Sequence, residues 1–347
     1  MPRLAEYQEV RAPELELAWE HDFADHVIDL AYSPDGRWVA AAAIGGPIAI
    51  FHAETGEQKA LLPGHAGGTF TLSWRADSQR LASGGEDGRL RIWDVTAGGH
   101  QVEADAGASW VETVRYGHTG DFLATGAGRK LRLWNSRGDL LQAYADHPST
   151  IADIQWQPDD LLFTSACYGQ VSTFRTNAAQ PVKAFEWKGS ILCLAWSPDA
   201  NYIATGNQDA SVHFWYRKTG KDLEMSGYAS KVKEVAWDSS SRYLATGGSA
   251  VVIIWDCGGK GPAGSRPTQL AGHQSYLSAL AYQNRGTLLA SGGKEGRVCV
   301  WSPKAERLLQ CANLPGEITK LVWAPDDQYL VAASSQGKLC VFRRSTD

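Results

Sequence analysis

The sequence contains no run of eighteen apolar residues, and its first ten residues, MPRLAEYQEV, are acidic where a secretory leader needs an apolar stretch. These two absences lead to the expectation of a soluble, cytoplasmic chain with no membrane partner. Paired-cysteine motifs are also missing. The six cysteines, Cys167, Cys193, Cys257, Cys299, Cys311 and Cys340, are scattered, and several sit inside alternating apolar stretches such as VCVW and LCVF. They read as reduced, small core residues rather than disulfide or zinc ligands, so neither a metal nor a cofactor is expected. A basic excess is lacking too, since the formal net charge is −5. That balance does not suit a nucleic-acid partner. Finally, no twelve-residue window carries a helical period, which leaves a chain of strands and turns.

What the sequence has in quantity is glycine and tryptophan, 36 and 14 residues of 347, and these recur in order. An aromatic residue closes a short apolar run at Tyr32, Trp74, Tyr116, Trp156, Trp196, Trp237, Tyr282 and Trp323, at spacings of 42, 42, 40, 40, 41, 45 and 41 residues. A second series keeps phase with the first: Phe51, Trp93, Trp134, Phe174, Trp215, Trp255, Trp301 and Phe342. Two independent markers thus count eight units. Within each, runs such as ILCLAW, YIATG and VHFW are separated by polar or glycine-rich turns, which predicts three clear strands and a weaker outer one. A lone sheet of this size cannot cover both of its faces. Sheets stacked radially can, because every sheet buries its two neighbours.

The second unit carries Gly64-His65 and then SGGEDGRLRIWD, ending at Trp93-Asp94, and a second Trp-Asp pair stands at Trp255-Asp256. These residues resemble the WD-repeat family, and the resemblance runs from about residue 14 to residue 342. It implies an all-β, eight-bladed propeller as a single domain over residues 14–347, after an N-terminal tail of residues 1–13. The alternative count is seven blades plus one irregular unit. The last unit lacks an outer strand, and Glu14 to Glu20 alternates apolar and acidic residues, so residues 14–20 are expected to close the ring ahead of eight repeats over about 21–342. The first, third and fourth units depart most from the consensus turn.

The resemblance also gives the second unit a structural polar relay of His65, Ser83, Asp87 and Trp93. The fifth unit keeps Thr205, Asp209 and Trp215 with Trp187 in the histidine place, and the seventh keeps His273, Ser291 and Trp301 with Glu295 in the aspartate place. Tyr168 and Gly128 replace the aspartate in the fourth and third. Distribution over several units suits a structural role better than a Ser-His-Asp catalytic set, and no catalytic residue is assigned. The units that lose the relay are expected to open first.

In the family's geometry, two sets of residues reach the channel mouth. Among them are His26, Trp110, Lys231, Tyr276 and Glu317 before inner strands, and Glu86, Gln208 and Lys294 before the aspartate position. Trp110 and Tyr276 are aromatics that the repeat itself does not require. They either anchor a protein or peptide partner, with Lys231, Lys294 and Glu86 selecting by charge, or they pack over neighbouring loops. The expected function is accordingly a non-enzymatic scaffold or adaptor, monomeric alone or a subunit of a complex. The alternative is a propeller enzyme or small-molecule sensor with a site in the central channel. An insertion between Cys257 and Leu270, rich in glycine and proline and carrying Lys260 and Arg266, reads as a flexible loop.

Overall fold

The computed structural model describes residues 12–97, 99–259 and 261–344. The tail residues before 12, Lys260 of the insertion and the last three residues lie outside the described residues. Eight four-stranded antiparallel sheets form a ring of eight blades, which settles the count against seven plus an irregular unit. Blade 1 runs Val27–Tyr32, Trp38–Ala43, Ile48–His52 and Gln58–Leu62 from the channel outward, and the next six repeat that order.

Each second strand lies between two interfaces, and its alternation divides residues between them. In Trp38–Ala43, Val39 and Ala41 face blade 8, whereas Ala40 and Ala42 face blade 2. Small residues here let neighbouring blades approach. The core is therefore eight interfacial clusters rather than one, a partition that explains how 347 residues form a single ring. The first aromatic series adds polar ties between blades. The indoles of Trp74, Trp156 and Trp323 donate to the carbonyls of Ala31, Arg115 and Ala281 in the preceding blade, at 3.0, 2.9 and 3.0 Å.

The eighth blade consists of Ile318–Trp323, Tyr329–Ser334 and Lys338–Arg343, and its outer strand is Glu16–Asp22. Ring closure thus runs through the start of the chain, but two residues later than the expected 14–20. The reason lies in the partners. Lys338 draws Glu20 and Asp22 to 2.9 and 3.0 Å, and the Trp19 indole donates to the Ala53 carbonyl at 2.8 Å. Glu14 bridges instead to Cys311 on the outer strand of blade 7, where the Leu15 amide donates to the Cys311 carbonyl at 2.9 Å. Leu15 is buried between blades 7 and 8. The first described residues therefore stitch two blades together.

The shortest inner strand belongs to the sixth blade, whose turn follows the consensus more closely than those of the first, third and fourth. Its inner strand is only Val235–Trp237, against six residues in every other blade, and its second strand is Tyr243–Thr246. Glu234 folds over Gly247, where an added Cβ would lie 2.3 Å from the carboxylate. Val232 meanwhile donates its amide to Asn207 of blade 5 at 3.0 Å. The segment before Val235 nonetheless stays on its own sheet, the Gly247 amide donating to the Glu234 carbonyl at 2.9 Å and the Ser230 amide to the Gly248 carbonyl at 3.0 Å.

Candidate interaction face and polar relays

Two features stand out chemically, the relays inside the blades and the rim of the channel. In blade 2 the Trp93 indole donates to Ser83 Oγ at 2.8 Å, Ser83 meets His65 Nε2 at 2.7 Å, and His65 Nδ1 meets Asp87 at 2.8 Å. Burial holds the His65 imidazole below its usual pKa despite Asp87, so the ring is neutral at pH 7. A neutral ring with its proton on Nδ1 satisfies every group: Nδ1 donates to Asp87 and Nε2 accepts the Ser83 proton. Burial works to raise Asp87, yet hydrogen bonds from His65 and Arg89 and the charge of Arg91 hold it below the usual carboxylate range. Blade 7 repeats the arrangement with a longer acid. Trp301, Ser291, His273 and Glu295 connect through three contacts of 2.7 Å. The relay is complete in two blades rather than one, because the extra methylene of Glu295 still reaches His273.

Blades 4 and 6 build shorter versions. In blade 4 His147 Nε2 meets Ser165 Oγ at 2.7 Å, and burial depresses this imidazole to about 4. In blade 6 the Trp255 indole donates to the Tyr228 hydroxyl at 2.9 Å, which contacts Thr246 at 2.8 Å. Blade 5 has no relay of this kind: Thr205 donates to Asn207 at 3.2 Å, Asp209 accepts from Ser211 at 2.6 Å, and Trp187 stacks on His213 with ring centroids 3.9 Å apart. His147, Tyr228 and His213 are missed by the consensus pattern. Three of the positions share one signal, since His65, His147 and Tyr228 each stand eighteen residues before the hydroxyl they contact.

The Ser83-His65-Asp87 and Ser291-His273-Glu295 sets have the connectivity of hydrolase triads, but both serine side chains are fully buried and both oxygens already accept an indole N–H. A substrate carbonyl has no approach to either. Among the described residues no group of three or more His, Cys, Asp or Glu could hold a metal ion, and no helix is long and apolar enough to cross a membrane.

At the rim the two expected series meet through the backbone. The amides of Ile44, Gln208, Lys294 and Ser335 donate to the carbonyls of His26, Ser190, Tyr276 and Glu317, at 2.8 to 2.9 Å. In blade 2 the acceptor of Glu86 is Gly68, at 3.1 Å. Ala127 and Cys167 are buried and present nothing to the rim. Five of the rim residues, His26, Lys231, Tyr276, Lys294 and Glu317, line one cavity of about 520 Å³ with Lys233 and Glu234. Gln208 is exposed one blade away. Trp110 and Glu86 lie apart from that cavity, between blades 2 and 3, with the Trp110 amide donating to the Glu86 carbonyl at 3.2 Å. Blades 3 and 7 face each other across an eight-blade ring, so Trp110 and Tyr276 form two aromatic positions rather than one patch.

Trp110 is 52% exposed and rests against Phe70 with ring centroids 5.6 Å apart. Its backbone is left-handed, with φ of 66°. Glu112, two residues on, is exposed, and partial desolvation raises its carboxyl.

The family model for the WD domain, G-beta repeat, matches residues 19–46, 56–94, 99–135, 179–216, 221–256, 264–302 and 309–343. The stretch it passes over contains most of blade 4, whose turn departs from the consensus. Similar curated proteins include Protein HIR1 of Kluyveromyces lactis, 23% identical over 78% of this chain and 40% of that protein. The transcriptional corepressor LEUNIG_HOMOLOG of Arabidopsis thaliana is 24% identical over 80% and 35%, and WD repeat-containing protein 1 of Xenopus tropicalis is 23% identical over 92% and 54%. The chain thus spans roughly a third to a half of these relatives. Among solved structures, the computationally designed Ika8 protein superposes with a TM-score of 0.82 at 22% identity, over 95% of this chain and 100% of that one. With its repeats matched over more than half its length and its ring of blades, the chain belongs to the WD-repeat family.

Proposed function

We propose that this propeller is a non-enzymatic scaffold whose channel-mouth face binds protein or peptide partners in the cytoplasm, with Trp110 and Tyr276 as its aromatic anchors. The observation that carries this reading is Trp110. A bulky residue at φ of 66° bears a cost of roughly 1–2 kcal/mol that glycine would avoid. It nonetheless leaves half of a large apolar ring in water. Strain combined with exposure is a poor device for packing and a reasonable one for presenting an anchor. Tyr276, 45% exposed beside Lys294, serves the opposite side of the mouth. The six free thiols suit a reducing compartment.

The test is affinity purification from the native host, comparing the wild type with the Trp110→Ala, Tyr276→Ala double variant by quantitative mass spectrometry. Loss of the principal partners at unchanged thermal stability supports the proposal. An unchanged partner set removes it.

A further inference from the structure

Blade 6 is where the ring departs from its own pattern, and a cavity lies beside the departure. The inner strand is regular only from Val235, and the segment before it is held to its own sheet by the Gly247 amide on the Glu234 carbonyl at 2.9 Å and the Ser230 amide on the Gly248 carbonyl at 3.0 Å; beside it lies the cavity of about 520 Å³ at the mouth. That volume lies within the range of pockets that hold a ligand. We infer that this cavity receives the acidic side chains of an extended peptide lying across the channel mouth, with Lys231, Lys233 and Lys294 as its binding groups. The inference rests on the channel-mouth reading and adds the chemical class of the partner.

The charges around the cavity favour an acidic partner. Elsewhere in the channel and along the closing strand, cations are paired: Lys320 with Asp29 at 3.0 Å, Arg115 with Asp153 at 3.9 Å, and Lys338 with Glu20 and Asp22. Among the described residues Lys231, Lys233 and Lys294 make no ion pair, though all three line one concavity. Three unpaired ammonium groups there raise the local potential for an anion, in a chain whose overall charge is −5.

Two carboxylates share the cavity, and neither cancels the lysines. Glu234 is turned back on its own backbone, accepting the Lys233 amide at 3.3 Å, and burial pushes its carboxyl up to about 7. Glu317 stands on blade 8, one blade beyond the lysine wall, where a peptide N–H would find an acceptor. The opposite side of the mouth carries Glu86 and Glu112 beside Trp110. The mouth is thus polarised, basic at blades 6 and 7 and acidic at blades 2 and 3, and it would orient a peptide that spans it. A nucleic acid fits less well, since its continuous phosphates would meet Glu86 and Glu112 across the mouth.

The experiment is fluorescence anisotropy of the full chain with a short fluorescein-labelled peptide that alternates Glu with Gly and Ser. Comparison probes have Gln or Lys in place of Glu, and a further probe is an oligothymidylate of equal charge. The Glu peptide should bind about tenfold or more tighter than the Gln peptide, and Lys231→Glu with Lys294→Glu should abolish that preference. Reversal of two remote exposed lysines, Lys59→Glu with Lys304→Glu, should change it by less than about threefold, a control for net charge. No binding of the Glu peptide, equal loss in both double variants, or lysine-dependent binding of oligothymidylate as tight as the Glu peptide's would each overturn the inference. Peptide binding that depends on Trp110 and Tyr276 but not on the lysines would sink the acidic class alone. Binding that depends on none of them would sink the channel-mouth reading as well.

Discussion

Blades 2 and 6 are built from the same repeat and spend their polar groups differently. In blade 2 the chain Trp93-Ser83-His65-Asp87 runs from the core to the rim, and the inner strand Thr69–Trp74 pairs along its length. In blade 6 Tyr228 replaces the histidine, the contacts stop at Thr246, and the inner strand pairs over three residues only. The relay of blade 2 fixes the rim segment before its inner strand through His65 and Asp87. In blade 6 the corresponding segment is held by the backbone bonds of Ser230 and Glu234 to Gly248 and Gly247, and it borders a charged cavity.

The comparison can be broken most forcefully at its glycines. An added Cβ at Gly85 would meet the Gly68 carbonyl oxygen at 2.3 Å and the His65 Cβ at 2.4 Å, atoms that cannot move without dismantling the relay. Gly85→Ala should cost about 3 kcal/mol or more in denaturant unfolding. At Gly247 the obstacle at 2.3 Å is the far end of the Glu234 side chain, and Gly247→Ala should cost less than about 1 kcal/mol. Comparable costs would show that the two blades are equally tight.

Acid sharpens the contrast at a third blade. His147 of blade 4 has a serine on one nitrogen but Tyr168 where blade 2 has Asp87, and burial depresses it to about 4. An unfolded histidine titrates near 6.5, so between these values the unfolded chain binds the extra proton. Stability from this group is complete above about 6.5 and is lost as pH falls toward about 4, by up to about 3 kcal/mol. His147→Gln should flatten that limb of the pH–stability curve.

Smaller effects are expected within the relays. Ser83→Ala strands the Trp93 indole and His65 Nε2 in the core and should cost about 2–3 kcal/mol, whereas Thr246→Ala leaves Trp255 and Tyr228 bonded to each other and should cost about 1 kcal/mol. Smallest in energy is local opening. Hydrogen exchange should be faster at Lys233 and Glu234 than at the matching Phe70 and Thr71, and blade 4 should not lead, since His147 still ties its rim segment to Ser165.

The blade count was legible because both aromatic series mark obligatory packing, one of them also tying blades through indole N–H groups. Closure through the chain start was legible from alternation, but its register was not, because Lys338 and Cys311 select partners from distant parts of the chain. His147 and Tyr228 were hidden by matching to a consensus, though the eighteen-residue interval to a hydroxyl marks both. The shortening of blade 6's inner strand was not legible at all. Lys233 and Glu234 read as ordinary strand alternation, and only the fold of Glu234 over Gly247 shows otherwise. Nor does spacing reveal that Trp110 and Tyr276 lie on opposite sides of the channel with charges of opposite sign around them.

Trp110 is proposed to hold its strained, exposed position for binding, and Trp110→Gly tests this most directly. Glycine removes the left-handed strain and the contact with Phe70 together, two effects of about 1 kcal/mol each and of opposite sign. The account predicts that capture of the host partners by this variant falls about tenfold or more while stability moves by less than about 1 kcal/mol. Undiminished capture with a loss of several kcal/mol would make Trp110 a packing residue and contradict it.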